Sequence, residues 1–413
     1  MKIAVVGSGI AGLACADRLG RRHEVVLLEA DSRLGGHAHT VTAKVRGEEH
    51  AVDTGFIVYN ETTYPEFTRL LAELGVPTQP AEMSFGLACE RTDLEWSSRG
   101  LRGLFATRPR SLQRPFLRML GEILRFAREA PAAIATLDPK YTLRELVAER
   151  GYSDGFRDWY LAPMGAAIWS AGTRDLLEMP AASFIRFFEN HGLLGRGAGV
   201  RWRTLRGGSK VYVDALERRM RATIERSTPV LGIATTASGV EVATRGGKRL
   251  FDRVILAVHA DTALSLLASP TADQRRVLGA IRYLRNETVL HTDTSLLPRR
   301  SAARASWNYR VPREENDGVL VTYDLSRLQG IPSAEPLLVT LNGSARIDPS
   351  RILARFDYAH PLLDPGAIDA QGEHARIDGV GGIHFAGAYW RWGFHEDGLQ
   401  SALRVVHSIE AGH

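Results

Sequence analysis

Apolar and polar positions in the first thirty residues fall into short blocks. Lys2 to Val6 is an apolar, β-branched run of strand length, and Gly7-Ser8-Gly9-Ile10-Ala11-Gly12 follows it directly. Leu13, Ala16 and Leu19 then recur at helical spacing, so the segment predicts strand, tight turn and helix. A second apolar run, Glu24 to Leu28, closes on Glu29. Further along, the pattern predicts a helix from Lys210 to about Met220 and strands over Pro229 to Ala234, Val240 to Ala243 and Phe251 to Val258. Asn286 to Thr294 reads as a long strand, and apolar runs at Gly318 to Tyr323 and Pro336 to Leu341 predict more sheet. Ile383 to Ala388 is a strand entering a glycine turn, and Gly393 to Ser401 opens a last helix.

In a strand-turn-helix unit of this kind, Gly7 allows the bend, Gly9 lets a pyrophosphate approach the backbone, and Gly12 lets helix and strand pack closely. The helix start offers free N–H groups and the positive end of its dipole to phosphates. Glu29, after the next strand, is placed to accept hydrogen bonds from ribose hydroxyls, whereas an arginine there would favour a 2′-phosphate. These features predict a dinucleotide site. A plain glycine turn at a helix start would leave the place of Glu29 unexplained.

Composition narrows the classes. At roughly 100–200 residues per domain, 413 residues suggest about two domains, and 44% apolar with 24% charged residues fits a globular chain. The 52 basic and 47 acidic residues leave +5, too small an excess to imply a nucleic-acid partner. Only five of the basic residues are lysines. Cys15 and Cys89 belong to no zinc pattern or disulfide framework, so no metal and a reducing, cytoplasmic compartment are expected. Lys2, the apolar run and Ala14-Cys15-Ala16 imitate a secretory signal, but the glycines within the run argue against one. No run of about 18 apolar residues predicts a membrane-spanning helix. Gly195-Arg196-Gly197-Ala198-Gly199 follows no strand, so no second, nicotinamide site is expected.

After Glu29 comes Arg33-Leu34-Gly35-Gly36, then Asp53-Thr54-Gly55, and here the chain resembles the flavin-dependent amine oxidase and phytoene desaturase superfamily. The resemblance resumes in the same order at Leu205-Arg206-Gly207-Gly208, Phe251 to Val258, Ile383 to Ala388 and Gly393 to Ser401. It implies an α/β plus α+β fold: a Rossmann-like, glutathione-reductase-like FAD-binding domain over 1–80, 195–285 and 376–413. A substrate domain would be inserted, helical over 81–194 and an antiparallel sheet over 286–375. FAD would be held by Gly7, Gly9, Ile10, Ala11, Gly12, Glu29, Ala30, Arg33, Gly35, Gly36, His37, Thr54, Gly55 and Phe56. Val230, Ala257, Gly387, Ala388, Gly393, Phe394, Asp397, Gly398, Leu399 and Ser401 would complete the site. The last helix would stabilise negative charge on the reduced flavin.

Departures from the superfamily pattern are informative. Its amine oxidases carry a lysine in the first long strand of the substrate domain, where this chain has none, and His291 takes that place. Two readings of His291 stand, a base or relay near the flavin and a buried strand histidine. Ala388 replaces an acid, and no cysteine near the C-terminal turn could carry a thioether-linked flavin. His395 and Glu396 start the last helix, Glu396 being either a base or a helix-capping acid. Tyr309 is a further catalytic candidate.

The segments His291 to Pro298, Ala305 to Tyr309, Val321 to Asp324, His360-Pro361 and Gly393 to Gly398 are similar to one subgroup. Its members are FAD-dependent oxidoreductases encoded beside, or fused to, cyclopropane-fatty-acid-synthase-like methyltransferases. That resemblance implies a functional link to such a methyltransferase and desaturation of a methylated unsaturated fatty acyl group toward furan fatty acids. The alternatives are a fatty acid double-bond isomerase, an amine oxidase, and a non-catalytic flavoprotein that presents lipid to the methyltransferase. Between Arg99 and Arg128 eight arginines interleave with large apolar residues against one acid, Glu122. This is either a surface that lies peripherally on anionic membrane or an ordinary amphipathic helix. The aromatic residues Tyr389, Trp390, Trp392, Phe394, Trp307, Tyr309 and Tyr323 suit either an acyl chain or an amine cage.

Overall fold

Lys2–Val6 is the middle strand of a five-stranded, wholly parallel sheet in a computed structural model that describes residues 1–194, 200–313 and 319–412. The order is Thr223–Glu225, Glu24–Leu28, Lys2–Val6, Arg253–Leu256, Ile383–Phe385. Successive side chains of a strand point to opposite faces, and here both faces are covered, which is why the runs are apolar throughout. Ile3, Val5, Val25, Leu27 and Ile255 join a core with the helices Ile10–Leu19, Lys210–Arg219 and His395–Glu410. Ala4, Val6, Val26, Leu28, Val254 and Leu256 pack on the other face with a three-stranded antiparallel sheet, Val230–Thr236, Gly239–Thr244 and Gly247–Phe251.

A seven-stranded sheet forms the second layer system. Its order is Ile352–Pro361, Tyr283–His291, Leu338–Leu341, Val321–Asp324, Trp307–Val311, Phe85–Cys89, Leu94–Ser97. It differs from the expected antiparallel sheet in two ways. Trp307–Val311 pairs in parallel with Phe85–Cys89, so the sheet is mixed. Phe85–Cys89 and Leu94–Ser97 come from the segment expected to be helical. All nine of their residues are buried; Phe85–Cys89 lacks the alternation that reveals a half-buried strand, and Leu94-Glu95-Trp96-Ser97 alternates over only four residues.

The rest of that segment is helical, and its Phe116, Met119, Phe126, Phe156, Phe184 and Phe188 share one core with Leu290, Tyr309, Val321 and Val339 of the sheet. Gly195 to Gly199, with the expected boundary at 195, and the start of the Gly318 run lie outside the described residues. No helix among the described residues is long and apolar enough to cross a membrane.

Asp53 ties the two layer systems together. Its carboxylate accepts hydrogen bonds from Thr40 Oγ1 (2.6 Å), Ser209 N (2.8 Å), Ser209 Oγ (2.7 Å) and Gln329 Nε2 (2.9 Å). Asp53 is fully buried, and a buried carboxylate with this many donors is satisfied at each oxygen.

Candidate active site

One cavity of about 920 Å³ runs from the first glycine turn into the space between the seven-stranded sheet and the helices. Gly7, Gly9, Ile10, Ala11 and Glu29 line its first end. Gly7 has φ of +95°, and a Cβ at position 12 would collide with the Gly7 carbonyl oxygen, so strand and helix meet at backbone contact. A Cβ at position 9 would meet nothing within 4 Å. Gly9 precedes the helix and no side chain caps it, which leaves the first N–H groups free for an anion. Glu29 is oriented by Ser8, whose N–H and Oγ donate to Oε2 at 2.8 and 2.5 Å, and by the Asp31 N–H, 2.8 Å from Oε1.

Gly35, Gly36, His37, Thr54, Gly55 and Phe56 continue the wall, and Ala257, Gly387, Ala388, Gly393, Phe394 and His395 face them. Arg33 pairs with Asp31 at 3.3 Å, yet its Nη1 is buried without a partner, as is His37 Nε2. An open cradle at Gly9, an uncapped helix start and two orphaned buried donors or acceptors fit the diphosphate and ring system of FAD. Gly12, Ala30, Arg33, Val230, Asp397, Gly398, Leu399 and Ser401 do not line the cavity. Ser401 and Asp397 instead brace its wall, accepting the N–H groups of Gly387 (3.1 Å) and Phe394 (3.0 Å).

Three of the four expected catalytic residues are elsewhere. His291 is fully buried on the far side of its strand, with Nε2 2.7 Å from Thr340 Oγ1 and Nδ1 accepting the Asp293 N–H at 3.1 Å. It is the buried strand histidine, because residues of one strand alternate in direction and its turn falls away from the cavity. Tyr309 is buried against Thr173, off the cavity wall. Glu396 caps the helix Pro65–Leu74, accepting the N–H groups of Glu66 (3.2 Å) and Phe67 (2.9 Å). Tyr64, the residue before that helix, offers no side-chain cap, so Glu396 does so from the start of another helix. Only His395 lines the cavity, stacked 3.6 Å from the Phe56 ring with Nε2 3.0 Å from Tyr212 Oη.

The sequence reading missed a cluster of rings beside the glycine turns. His37 lies 5.8 Å from His259, 5.1 Å from Tyr358 and 5.5 Å from His360 by ring centroids, and His259 stacks on Tyr283. Tyr358 Oη bridges His39 Nδ1 (2.8 Å) and Thr54 Oγ1 (2.7 Å), and His360 Nδ1 accepts from Asn286 Nδ2 at 3.3 Å. Tyr358 and His360, two apart on a strand, share a face, a signal that period-two spacing carries. Burial holds these imidazoles neutral: His360 and His39 fall to about 4, His37 falls well below the ordinary 6.5 with its neighbouring histidines adding to burial, and His395 falls to about 3. Burial pushes the Asp397 carboxyl up to about 7 and Asp53 up to about 6.

Three outcomes are expected. Gly9→Ala should cost the apoprotein at most about 1 kcal/mol, yet lower FAD content sharply, while Gly12→Ala should cost about 1–3 kcal/mol or more through overpacking. Denaturant melts and the absorbance ratio of flavin to protein measure both. Glu396→Ala should lower stability by about 1–3 kcal/mol but change flavin reduction per bound flavin less than the 10²–10⁴-fold typical of a lost base. Finally, His37, His39, His191, His291, His360 and His395 all have lowered values, so the unfolded chain binds protons that the folded chain refuses between about pH 4 and 6.5. Stability therefore rises with pH across that window. The raised Asp53 and Asp397 oppose this, because their folded carboxyls keep protons that the unfolded ones lose above 3.8. Six imidazoles outweigh two carboxyls, so Tm should climb from pH 4 to about 6.5 and then level; a Tm maximum near pH 4 would contradict neutral imidazoles.

Comparison with known proteins places this geometry. A family model described as flavin containing amine oxidoreductase matches residues 10–294. "Putative flavin-containing monoamine oxidase AofH" of Mycobacterium tuberculosis is 27% identical over 267 residues, 62% of this chain and 56% of that protein, so the match spans little more than half of the relative. The crystal structure titled "Putative protoporphyrinogen oxidase" from Exiguobacterium sp. 255-15 superposes with a TM-score of 0.71 at 16% identity, covering 100% of this chain and 99% of that one. A fatty acid isomerase from P. acnes, titled as CLA-producing, gives 0.71 at 15% identity over 98% of each chain. At such identities the structural likeness is one of fold. The family match covers more than half of the chain, and the protein belongs to the flavin-containing amine oxidoreductases, as an FAD-dependent enzyme.

Proposed function

We propose that this enzyme oxidises a lipid acyl chain, removing two hydrogens beside an existing double bond of a methylated unsaturated fatty acyl group. The observation that carries the reading is the wall of the cavity. Among the described residues Glu29, at the glycine-turn end, is the only charged side chain that lines it. Beyond the turns the lining is mostly apolar, with Ile57, Met83, Leu104, Leu120, Ile123 and Met164 and large aromatic rings, and its polar members Ser84, Ser98, Ser170 and His191 bring no charged carboxylate or cation, which suits an uncharged chain. The fold shared with the fatty acid isomerase is consistent with such a substrate. When bound, FAD supplies the two-electron acceptor for the hydride that leaves the substrate carbon. Within this reading the parallel sheet and its glycine turn form a Rossmann-like FAD domain. Apart from Glu29, which Ser8 and Asp31 hold at the glycine-turn end, the proton acceptors on the cavity wall are neutral imidazoles, and a double bond that acidifies its neighbour makes proton loss to such a group feasible. The two buried free cysteines, Cys15 and Cys89, suit a reducing compartment.

Amine oxidation is the second reading, favoured by the aromatic wall, where Trp96, Trp202, Trp307, Phe187 and Tyr323 could face an amine, and by the name of the mycobacterial relative. The missing carboxylate disfavours a diamine or polyamine, whose second ammonium would be buried unpaired. Anaerobic mixing decides between the readings. Vesicles carrying methylated unsaturated acyl chains should bleach the visible flavin band, and the extracted lipid should have lost two hydrogens. A band that stays oxidised while the double bond migrates identifies an isomerase. Bleaching by amines alone, with peroxide released in air, identifies an amine oxidase. Stable complex formation with a cyclopropane-synthase-like methyltransferase, and no bleaching by any lipid or amine, identifies a lipid-presenting partner.

A further inference from the structure

We infer that the helical segment 100–133 is a docking surface for an anionic phospholipid bilayer, and that the acyl chain enters the cavity through it. The entry half rests on the acyl reading above; the docking half rests on the surface itself. Nine large apolar side chains are exposed among the described residues, and four of them, Leu101 (76%), Leu112 (65%), Leu117 (46%) and Leu124 (73%), fall in this one segment. They are surplus to folding, since the helix Arg114–Ala133 buries a separate stripe through Phe116, Met119, Phe126 and Ala130.

The charges around these leucines are predominantly positive, the one partly exposed acid of the segment, Glu129, being paired with Arg128. Arg102, Arg108, Arg110 and Arg114 are exposed, and none has an ion pair among the described residues, whereas Arg118 pairs with Glu122. Glu122, the only acid between Arg99 and Arg128, is turned inward, where Ser153 Oγ donates to it at 2.5 Å. Unpaired guanidiniums interleaved with exposed leucines complement anionic headgroups over acyl chains.

The same helices form the far wall of the cavity. Leu104, Leu120 and Ile123 line it. Leu117, Leu120 and Leu124 recur at i, i+3 and i+7, so the cavity-lining leucine sits on one ridge between two that face out. A bilayer that covers Leu117 and Leu124 therefore lies one side chain from the cavity.

Co-sedimentation of the flavin-loaded enzyme with phosphatidylglycerol and with phosphatidylcholine vesicles tests the docking half. Binding to the anionic vesicles should weaken with salt and exceed binding to the neutral ones. At about fivefold per arginine, Arg108→Gln/Arg110→Gln/Arg114→Gln should weaken it by on the order of 100-fold. Leu117→Ser/Leu124→Ser should also release the protein, with flavin content unchanged in both variants. Equal binding by the variants, or none by the parent, overturns the docking surface. Self-association of the parent without vesicles, lost in the leucine variant, reassigns the face to a second copy of the chain. For the entry half, the variants should reduce slowly with vesicle-borne chains and at the parent rate with the same chains dispersed in detergent. Vesicle binding without bleaching from either source overturns the entry half and the acyl reading while the docking surface stands. Bleaching by dispersed chains with the variants unimpaired on vesicles overturns entry alone.

Discussion

Backbone contact between Gly12 and the carbonyl of Gly7 is the constraint on which the site depends. It draws the first helix onto the first strand so closely that the helix start opens directly onto the cavity. Everything that faces the cofactor is then set by distance from that turn. Glu29 ends the neighbouring strand and is held by Ser8 of the turn itself, and Gly36 passes across Gly9 at close range. The parallel register of the central strands carries Ala257 and Gly387 to the same edge, where strands of such sheets end at their ligands.

The polar groups around this cavity share one electrostatic policy. The shifted histidines are neutral, the Asp53 and Asp397 carboxyls are pushed upward, and the buried acids are used for architecture. Asp53 joins the first hairpin to the start of the Lys210–Arg219 helix and to Gln329, and Glu396 holds the first turn of Pro65–Leu74. Beyond Glu29 at the glycine-turn end, a wall without fixed charge lets an apolar substrate enter without stripping water from ions, which in a low-dielectric space would be costly.

The flavin half of the molecule was legible because its requirements are local. A bend, a phosphate approach and a close packing contact each need glycine at a set spacing, and Gly7, Gly9 and Gly12 stand there before a strand's length has passed. The reacting half was not legible in the same way. His291 and Glu396 look catalytic by residue type, yet their roles depend on which way a strand faces and on which helix start lies nearest, both set by contacts distant in sequence. Phe85–Cys89 hid for a related reason, since a strand buried on both faces has no period to read. Tyr358 and His360 did carry a period-two signal, but residue type gave no reason to prefer them over other strand residues.

The parallel sheet is completed by Ile383–Phe385, and the helix His395–Glu410 closes the core on one face. Its other strands begin within the first thirty residues or lie between 223 and 256. The seven-stranded sheet likewise joins residues 85–97 to residues 283–361. A chain growing from the ribosome thus holds an open sheet edge and an unroofed cavity until residues 283–410 emerge. Such long-range closure makes for slow folding and a long exposure of strand edges. Cofactor capture then waits for the His395–Glu410 helix, and chains that lack it are substrates for chaperones rather than for flavin.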